Sequence, residues 1–387
     1  MNTPTASTLT QHEWPALARD TVNLADAHAR HSLSTQSVQG LAAILEGLLA
    51  KQGSNYFEAE EAFRAALSGH TGQQYGTNSS FLTYSASIAL DAAAKQLLPQ
   101  RRPIGLLTPT FDSVPALFRR SGLHLTPVPE RRVLPAVDLD YLDGLSLGAL
   151  IVVVPNNPTG TVMFPDQVIG LLGWAARRGV TLVLDLSFRM FDPGLRFDVI
   201  ESADGIGAQV LTVDDTGKTI PLYDTKLGVL SASRTLAQQT GRICGDILLN
   251  LPELDLRMLG YLFGQQGPDA EVARACRIAA ANGALLAELS AGGTPRSAGG
   301  GFQPTVAWLH CDTGRDHIVE SCRRSGVALL PGDRFFWDRS WQRNPGSERI
   351  RVPLLRDEKL FEDGMRTVFS AARDVCSRVS MHADGEQ

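Results

Sequence analysis

The sequence predicts an α/β protein in which a mostly parallel sheet forms a large domain and a second, smaller α/β domain follows it. Two patterns predict this class: segments with helical spacing of apolar residues alternate with short apolar runs, and most of these runs end in loops that contain Pro, Asn, Asp or Gly. The pattern changes near residue 262, where a long helix and then polar, partly aromatic segments begin. We therefore predict an N-terminal segment over 1–34, a large domain over 35–261 and a small C-terminal domain over 262–387.

Three helices and five strands are predicted for the large domain. Apolar residues recur at helical spacing over 35–50, 56–68 and 86–98. Short apolar runs predict strands over 104–107, 149–154, 181–184, 209–213 and 228–231. Because ligand sites in open α/β sheets lie beyond the carboxyl ends of the strands, we expect the chemistry directly after these runs.

The small domain is predicted from one long helix and two strands. The helix covers 269–290, and the segments AWLHC and VALLP, at 307–311 and 327–331, have the character of strands. The Gly-rich stretch at 297–301 is predicted to be a loop and not a phosphate site, because no helical pattern follows it.

The composition is ordinary for a soluble globular protein and excludes several classes without naming an activity. The 387 residues contain 36 Lys and Arg against 41 Asp and Glu, which gives a formal charge of −5, and 43% of the residues are hydrophobic. We find no long basic run, no apolar run of roughly 20 residues and no signal-peptide pattern, so we expect a cytoplasmic protein that binds neither nucleic acid nor a membrane. The cysteines lie far apart without metal-ligand spacing, which predicts free thiols and no metal site.

Two strand ends carry polar side chains that are unusual next to a buried sheet. In VVVPNNPTG the strand ends near Asn157, at a turn where Pro fixes the backbone and Gly allows a close approach, although turn chemistry alone would give this pattern. Asp185 directly follows TLVL, and a carboxylate is costly to bury there unless it faces a cation or a protonated ring nitrogen. A salt bridge between Asp185 and Arg189 is the alternative.

Two lysines and a group of small residues complete the pattern. Lys218 lies just beyond a strand, where a partly desolvated amine can form a Schiff base with a carbonyl. Lys226 follows and could hold a phosphate. Ser85, Ala86 and Ser87 precede a helix whose free backbone N–H groups would bind an anion, although an ordinary Ser cap gives the same pattern.

In their order and spacing these residues resemble the fold-type I pyridoxal-phosphate (PLP) enzymes, the aspartate aminotransferase superfamily, over roughly residues 35–375. The resemblance implies an aspartate aminotransferase-like fold with a seven-stranded type of central sheet, PLP as the cofactor and a homodimer with shared active sites. By resemblance, Lys218 forms the Schiff base, Asp185 pairs with the pyridine nitrogen and Asn157 donates to the ring O3′. The resemblance further implies that Phe111 stacks on the ring and that Arg351 binds the substrate carboxylate. The phosphate contacts are then Ser85, Ala86, Ser87 and Lys226.

Several positions depart from an ordinary aminotransferase. Phe188 stands three residues after Asp185, where transaminases commonly have a Tyr that donates to O3′. Asp215 stands where Ser or Thr often contacts the phosphate, and because a carboxylate would repel a phosphate we expect it to face a cationic substrate. The alternative is that Asp215 caps a turn beside Asp214. Arg349, two residues before the predicted carboxylate contact, would exchange roles with it if the register shifted.

The N-terminal segment departs further, because it carries Thr10, Glu13, Asp26 and His28. A lone His in such a segment is more often a solvated surface residue. The runs TQxE and ADxHAR, with DLSFRxFD, DTGK and DxKxG, closely resemble the O2- and PLP-dependent L-arginine oxidases and 4-hydroxylases of bacterial specialised metabolism. The resemblance implies a lid over the bound arginine in which Thr10, Glu13 and Asp215 contact the guanidinium. Asp26 belongs to the lid motif as a further substrate contact, and His28 is implied to direct the chemistry of water or oxygen.

The resemblance implies oxidation of L-arginine by O2 without metal or flavin. Expected products are 4-hydroxy-2-oxoarginine, 4,5-unsaturated species or both, with H2O2 and ammonia. Lys218 would remove the α-proton, and His28 would assist the addition of water at C4. Three other functions stay open: transamination of a basic amino acid, cyclisation of a hydroxylated arginine to a guanidine ring, and the ligand-binding half of a transcription regulator. The lack of a winged-helix segment and of a basic patch counts against the last of these.

Overall fold

Two β-sheets, each flanked by helices, account for most of the chain. The computed structural model describes residues 13, 16, 21–50, 55–297, 305–312, 314–338 and 342–383. The strands are β1 (Val22–Leu24), β2 (Ser80–Thr83), β3 (Ile104–Thr108), β4 (Leu125–Pro129), β5 (Ala149–Val153), β6 (Thr181–Asp185), β7 (Gln209–Asp215), β8 (Gly228–Ala232), β9 (Arg296–Ser297), β10 (Val306–His310), β11 (Val327–Pro331) and β12 (Arg349–Pro353). The helices are α1 (Thr35–Ala50), α2 (Tyr56–Thr71), α3 (Ala86–Gln96), α4 (Ser113–Arg120), α5 (Leu139–Gly144), α6 (Pro165–Arg178), α7 (Val199–Ile206), α8 (Arg234–Ile247), α9 (Glu253–Gly264), α10 (Glu271–Ser290), α11 (Arg315–Arg324) and α12 (Glu358–Ala383).

The large sheet has seven strands in the order β2-β8-β7-β6-β5-β3-β4. Only the pairs that involve β8 are antiparallel, so the predicted mostly parallel, seven-stranded sheet is confirmed. Its central strands are buried on both faces, which explains why they appear in the sequence as continuous apolar runs. The register pairs Val153 with Asp185 and Asp185 with Val213, so the segments after β5, β6 and β7 meet at one edge.

The elements predicted from apolar patterning are present, with small shifts at their ends. The first helix has the predicted bounds, whereas the second continues to Thr71 and the third ends at Gln96. Two strands of the large sheet, β2 and β4, were not predicted. Ser80 and Thr83 interrupt the apolar character of β2, and the prolines of β4 are tolerated because this strand lies at the edge of the sheet.

The small sheet has the order β1-β11-β12-β10-β9 and includes part of the predicted N-terminal segment. Strand β1 pairs in parallel with β11, with Val22 opposite Val327 and Leu24 opposite Leu329. Helix α12 lies close to this pair at Gly364, where an added Cβ would lie 2.9 Å from side-chain atoms of both Val22 and Leu24. The N-terminal segment is therefore joined to the small sheet by backbone hydrogen bonds and not only by surface contacts.

The remaining sequence expectations concern cysteines, metals and membranes. Cys244, Cys276, Cys311 and Cys322 are free thiols, and the side chain of Cys376 lies outside the described residues. Within the described ranges no group of His, Cys, Asp and Glu could hold a metal ion. The helices of the described chain include none that is long and apolar enough to cross a membrane. Most of the Gly-rich stretch, 298–301, is also outside the described residues.

Candidate active site

A cavity of about 380 Å³ lies at the carboxyl ends of β5, β6 and β7 and contains most of the predicted site residues. Its lining includes Glu13, Asp26, His28, Ser85, Ala86, Ser87, Phe111, Asn157, Asp185, Asp215, Lys218 and Lys226. Thr10 lies outside the described residues, and Arg351 lies behind the cavity wall, in contact with Glu13. A larger cavity of about 690 Å³ lies between α4 and the small domain, but it contains none of the predicted catalytic residues.

The start of α3 carries the residues of the predicted anion site. Ser85 caps the helix with its hydroxyl, which accepts a hydrogen bond from the N–H of Ile88, so the alternative of a Ser cap is correct and the anion site stays a prediction. Strand β8 passes this turn at Gly228, where an added Cβ would lie 2.4 Å from Ser85 C and 2.7 Å from Ala86 N. Only glycine permits this approach, which sets the first turn of α3 beside the end of β8. Lys226, just before that strand, lines the same cavity.

Asp185 ends β6 at the wall of the cavity, with its orientation fixed by Ser187. Asp185 Oδ1 accepts hydrogen bonds from the backbone N–H of Ser187 at 3.1 Å and from its hydroxyl at 2.5 Å. Burial raises the pKa of Asp185, and the hydrogen bonds from Ser187 act in the opposite direction. The alternative of a salt bridge to Arg189 is wrong, because Arg189 lies 3.7 Å from a carboxylate oxygen of Asp214 instead.

The other groups around Asp185 are an amide and two aromatic rings. Asn157 has a buried side-chain oxygen that accepts no hydrogen bond within the described part of the chain. Phe188 is buried, and its ring centre lies 5.9 Å from Lys218 Nζ, so a hydrophobic ring stands where a transaminase has a hydroxyl donor. Phe111 lines the cavity and packs against Phe335, with ring centres 6.1 Å apart.

A chain of polar contacts runs from the N-terminal segment to Lys218. Lys218 Nζ lies 3.2 Å from His28 Nε2, and His28 Nδ1 lies 2.6 Å from Asp26 Oδ1. The second oxygen of Asp26 accepts a hydrogen bond from Arg30 Nε at 2.6 Å. Lys226 Nζ also approaches His28 Nε2, at 3.4 Å. His28 is therefore not the solvated surface residue that a lone His usually is.

Burial and neighbouring charges determine the protonation states of His28 and Asp26. Burial and the positive charge of Lys218 lower the pKa of His28 to about 4, against the opposing effect of Asp26. The imidazole is therefore neutral near pH 7, with its Nδ1–H donated to Asp26 and a lone pair on Nε2. Burial alone would raise the pKa of Asp26, but the hydrogen bond from His28, the charge that His28 gains once it is protonated at low pH, and the charge of Arg356 hold this pKa well below its usual range.

Asp215 caps a turn, as the alternative from the sequence predicted, and its contact with a cationic substrate stays a prediction. Its Oδ1 accepts a hydrogen bond from the N–H of Gly217 at 2.8 Å and so caps the turn that presents Lys218, and its side chain also lines the cavity. Asp214 points to the opposite face of the sheet, where it accepts a hydrogen bond from the hydroxyl of Tyr75 at 3.0 Å. Adjacent strand residues face opposite sides, which separates these two acids.

Arg351 is fully buried and is paired with an acid of the N-terminal segment. Its Nη2 donates to Glu13 Oε1 at 2.9 Å and to the carbonyl of Ala25 at 2.6 Å, while Nε and Nη1 are buried without a partner among the described residues. Burial raises the pKa of Glu13, and Arg351 counteracts this. Glu13 thus contacts a guanidinium, but it is the guanidinium of this chain. Arg349 is only half buried and does not line the cavity.

The residues that sequence reasoning missed include Ser187, which lines the cavity, and Glu130, which holds a loop beside it. Ser187 could have been found, because a Ser two positions after an Asp often donates to the carboxylate. Glu130 gave no signal, because it follows the unpredicted strand β4. It is partly buried, accepts hydrogen bonds from Asn156 and Thr159, and so anchors the loop that carries Asn157. Burial raises the pKa of Glu130.

The residues present fit PLP on two observations. Strand β8 and the start of α3 approach each other only because residue 228 is Gly, and a buried carboxylate and a lysine line one cavity together with Asn157. PLP would thus have the carboxylate of Asp185 at its ring nitrogen, the start of α3 at its phosphate, and the amide of Asn157 and the amine of Lys218 beside it.

The chain is similar to known proteins, both to a family profile and to single sequences. The profile of the family described as aminotransferase class I and II matches residues 30–252. A threonine-phosphate decarboxylase from Pseudomonas aeruginosa is 29% identical over 266 residues, which are 65% of this chain and 75% of that protein.

Two solved structures have a similar fold. The structure of MppP soaked with the product 2-ketoarginine superposes with a TM-score of 0.79 at 26% identity and covers 90% of this chain and 98% of that one. The aspartate aminotransferase from Thermus thermophilus, with maleate, gives a TM-score of 0.76 at 17% identity and covers 95% and 97%. The predicted aspartate aminotransferase-like fold is confirmed.

Proposed function

Because this chain belongs to the aminotransferase class I and II family of PLP-dependent enzymes, we propose that it uses PLP to oxidise L-arginine with O2. The observation that carries the proposal is His28, an imidazole from outside the sheet that reaches within 3.2 Å of Lys218 Nζ and is backed by Asp26. MppP, whose product is 2-ketoarginine, supports a substrate derived from arginine.

The residues at the strand ends hold the cofactor in this proposal. PLP, when bound, supplies an electron sink that stabilises negative charge at the substrate Cα. Asp185 keeps the ring nitrogen protonated, and Ser187 holds this carboxylate in one orientation. The phosphate is bound by the first turn of α3 and by Lys226.

The charges of the cavity suit a substrate with an anionic and a cationic end. The α-carboxylate of arginine takes the place of Glu13 at Arg351, where Nη2 and one of the two unpartnered nitrogens, Nε or Nη1, bind it in a bidentate manner. Glu13, once released, and Asp215 then face the guanidinium of the substrate. Glu13 and Arg351, which pair with each other in the free protein, thus each pair with one end of the substrate when arginine binds.

Proton transfer is divided between two neighbouring bases. Lys218 takes the proton from Cα, and the neutral His28 keeps a lone pair on Nε2 for a second proton. Asp26 maintains this tautomer by accepting the Nδ1–H. His28 is therefore placed to take a proton from a water molecule that adds at C4 of the oxidised substrate.

The reaction balances with O2 as the only oxidant. Four electrons leave the arginine carbon chain, and two molecules of O2 accept them and become two molecules of H2O2. The α-nitrogen leaves as ammonia, one water supplies the 2-oxo oxygen and a second supplies the 4-hydroxyl. Without the second water the product is the 4,5-unsaturated 2-oxo acid.

An oxygen electrode tests the function directly. Purified protein with L-arginine and no added oxo acid is expected to consume O2 and to release H2O2 and ammonia. L-Lysine and L-ornithine, which lack the guanidinium, are expected to react at least about tenfold more slowly, because Asp215 and Glu13 lose their planar partner. A strict need for an oxo-acid acceptor would contradict the proposal and favour transamination, and ring closure of hydroxyarginine without O2 would favour a cyclase.

We also infer that the active enzyme is a homodimer with shared active sites, as the resemblance implies, and exposed apolar side chains at the end of α1, at the start of α2 and before α9 offer an interface for it. Leu249, Phe57 and Leu49 are 96%, 82% and 80% exposed. Asn55, just before α2, donates its N–H to Glu253 of α9, which brings the neighbourhood of Phe57 and that of Leu249 together. Light scattering is expected to give twice the chain mass, and Phe57→Asp should shift it toward the monomer. A monomer of the unaltered protein at micromolar concentration would contradict this inference.

A further inference from the structure

Arg356, three residues after the end of β12, donates from all three guanidinium nitrogens to the N-terminal turn at 23–28. Its Nε donates to the carbonyl of Asn23 at 2.6 Å, its Nη1 donates to that of His28 at 2.8 Å, and its Nη2 donates to that of Asp26. The side chain is fully buried. Three carbonyls that form one face of the turn therefore converge on a single cation.

Arg356 is itself fixed from the small domain. Asn282 of α10, also buried, donates from Nδ2 to the carbonyls of Leu354 and Arg356 at 2.7 and 2.9 Å. The N–H of Arg30 donates to the carbonyl of Leu355 at 3.1 Å and extends the contact along the chain. The cation is thus held on a rigid support before it meets the turn.

Other long-range bonds reach the turn at single points: β1 pairs Asn23 with Ala328, and Arg351 Nη2 donates to the carbonyl of Ala25 at 2.6 Å. Asn23 Oδ1 accepts from the N–H groups of Ala25 and Asp26, which shapes the turn without fixing its place. One backbone bond, from Ala29 N–H to the carbonyl of Gly217 at 3.1 Å, joins it to the loop of Lys218.

We propose that Arg356 is a positioning residue that fixes the turn at 23–28 and thereby sets the distance between His28 and Lys218. This inference rests on the role proposed above for His28. A planar guanidinium can donate hydrogen bonds to all three carbonyls at once, whereas an ammonium is a more compact group and reaches fewer of them. Arg356→Lys therefore keeps the charge but loosens the turn.

The titration of His28, followed by NMR of labelled histidines in the protein as purified, tests the proposal without using turnover. The charged groups that face His28 are Asp26, Asp215, Lys218 and Lys226, and none of them changes in Arg356→Lys. In the unaltered protein the pKa of His28 is about 4 because the ring is buried. Water that enters the loosened turn should raise this pKa by at least about one unit. His28→Gln identifies the signal.

Arg189→Lys is the matched control. Arg189 is equally buried and also donates to backbone carbonyls, those of Leu195 and Phe197, but it does not touch the N-terminal turn. It should leave the titration of His28 unchanged. If Arg356→Lys did not fold, Asn282→Ala should raise the pKa of His28 in the same direction by a smaller amount.

A product assay on the same variants then links position to chemistry. Arg356→Lys should lower the share of hydroxylated product toward that of His28→Ala, and it should change nothing further when the two substitutions are combined. A folded Arg356→Lys protein whose His28 titrates as in the unaltered protein, or a rise of equal size in Arg189→Lys, would overturn the proposal. If the protein failed to oxidise arginine, the proposed function would fall, and the titration would still decide the role of Arg356.

Discussion

Lys218→Ala is expected to abolish the visible absorption of lysine-bound PLP and to lower turnover by at least about 10³-fold. Lys218 is the amine that the turn capped by Asp215 presents between Asp185 and His28, so its removal takes away both the covalent link and the first base. Absorption spectra of the purified variant, with and without added PLP, measure the first effect, and oxygen uptake with L-arginine measures the second.

Lys226 provides the control, because its ammonium lies in the same cavity and also approaches His28. Lys226→Ala should keep the absorption but lose PLP more readily on dialysis, since only a phosphate contact is removed. A yellow Lys218→Ala protein would refute the assignment of Lys218, and loss of the colour in Lys226→Ala would transfer the role to that residue.

His28→Ala is expected to keep oxygen uptake while the hydroxylated share of the product falls at least about tenfold. The first proton goes to Lys218, so the oxidation continues, but a water that adds at C4 no longer has a base beside it. Mass spectrometry of the products formed in water labelled with heavy oxygen measures the change, because only the hydroxylated product gains a second labelled oxygen.

Asp26→Asn tests the hydrogen bond that orients His28. It keeps the imidazole in place but cannot enforce the tautomer with its lone pair on Nε2, so we expect a product ratio between those of the unaltered protein and His28→Ala. The same ratio of products in the unaltered protein and in His28→Ala would remove His28 from the reaction.

The sheet could be predicted from the sequence where burial makes the pattern simple. Strands β5 and β6 are covered on both faces, so they appear as apolar runs, and their ends differ from the prediction by one residue each. Strand β4 could not be found in this way, because Pro127 and Pro129 are acceptable only at a sheet edge, and the position of a strand in its sheet is not encoded locally.

The residues that line the cavity could be predicted from the sequence only in part. Asn157, Asp185 and Lys218 follow neighbouring parallel strands, so topology alone brings them together. The contact between His28 and Lys218 joins residues 190 positions apart and depends on how the N-terminal turn is held. The partner of Glu13 was beyond prediction for another reason: a carboxylate that suits a substrate guanidinium suits the guanidinium of Arg351 equally well.

The parallel pairing of β1 with β11 affects how this protein can be dissected. Removal of the N-terminal segment would take away His28, but it would also expose the backbone N–H and C=O groups of β11 along Val327, Ala328 and Leu329. An uncovered strand of this kind is a template for pairing between molecules, so a truncated chain would risk aggregation for reasons unrelated to catalysis. Point substitutions separate the chemistry of the segment from its role in closing the sheet.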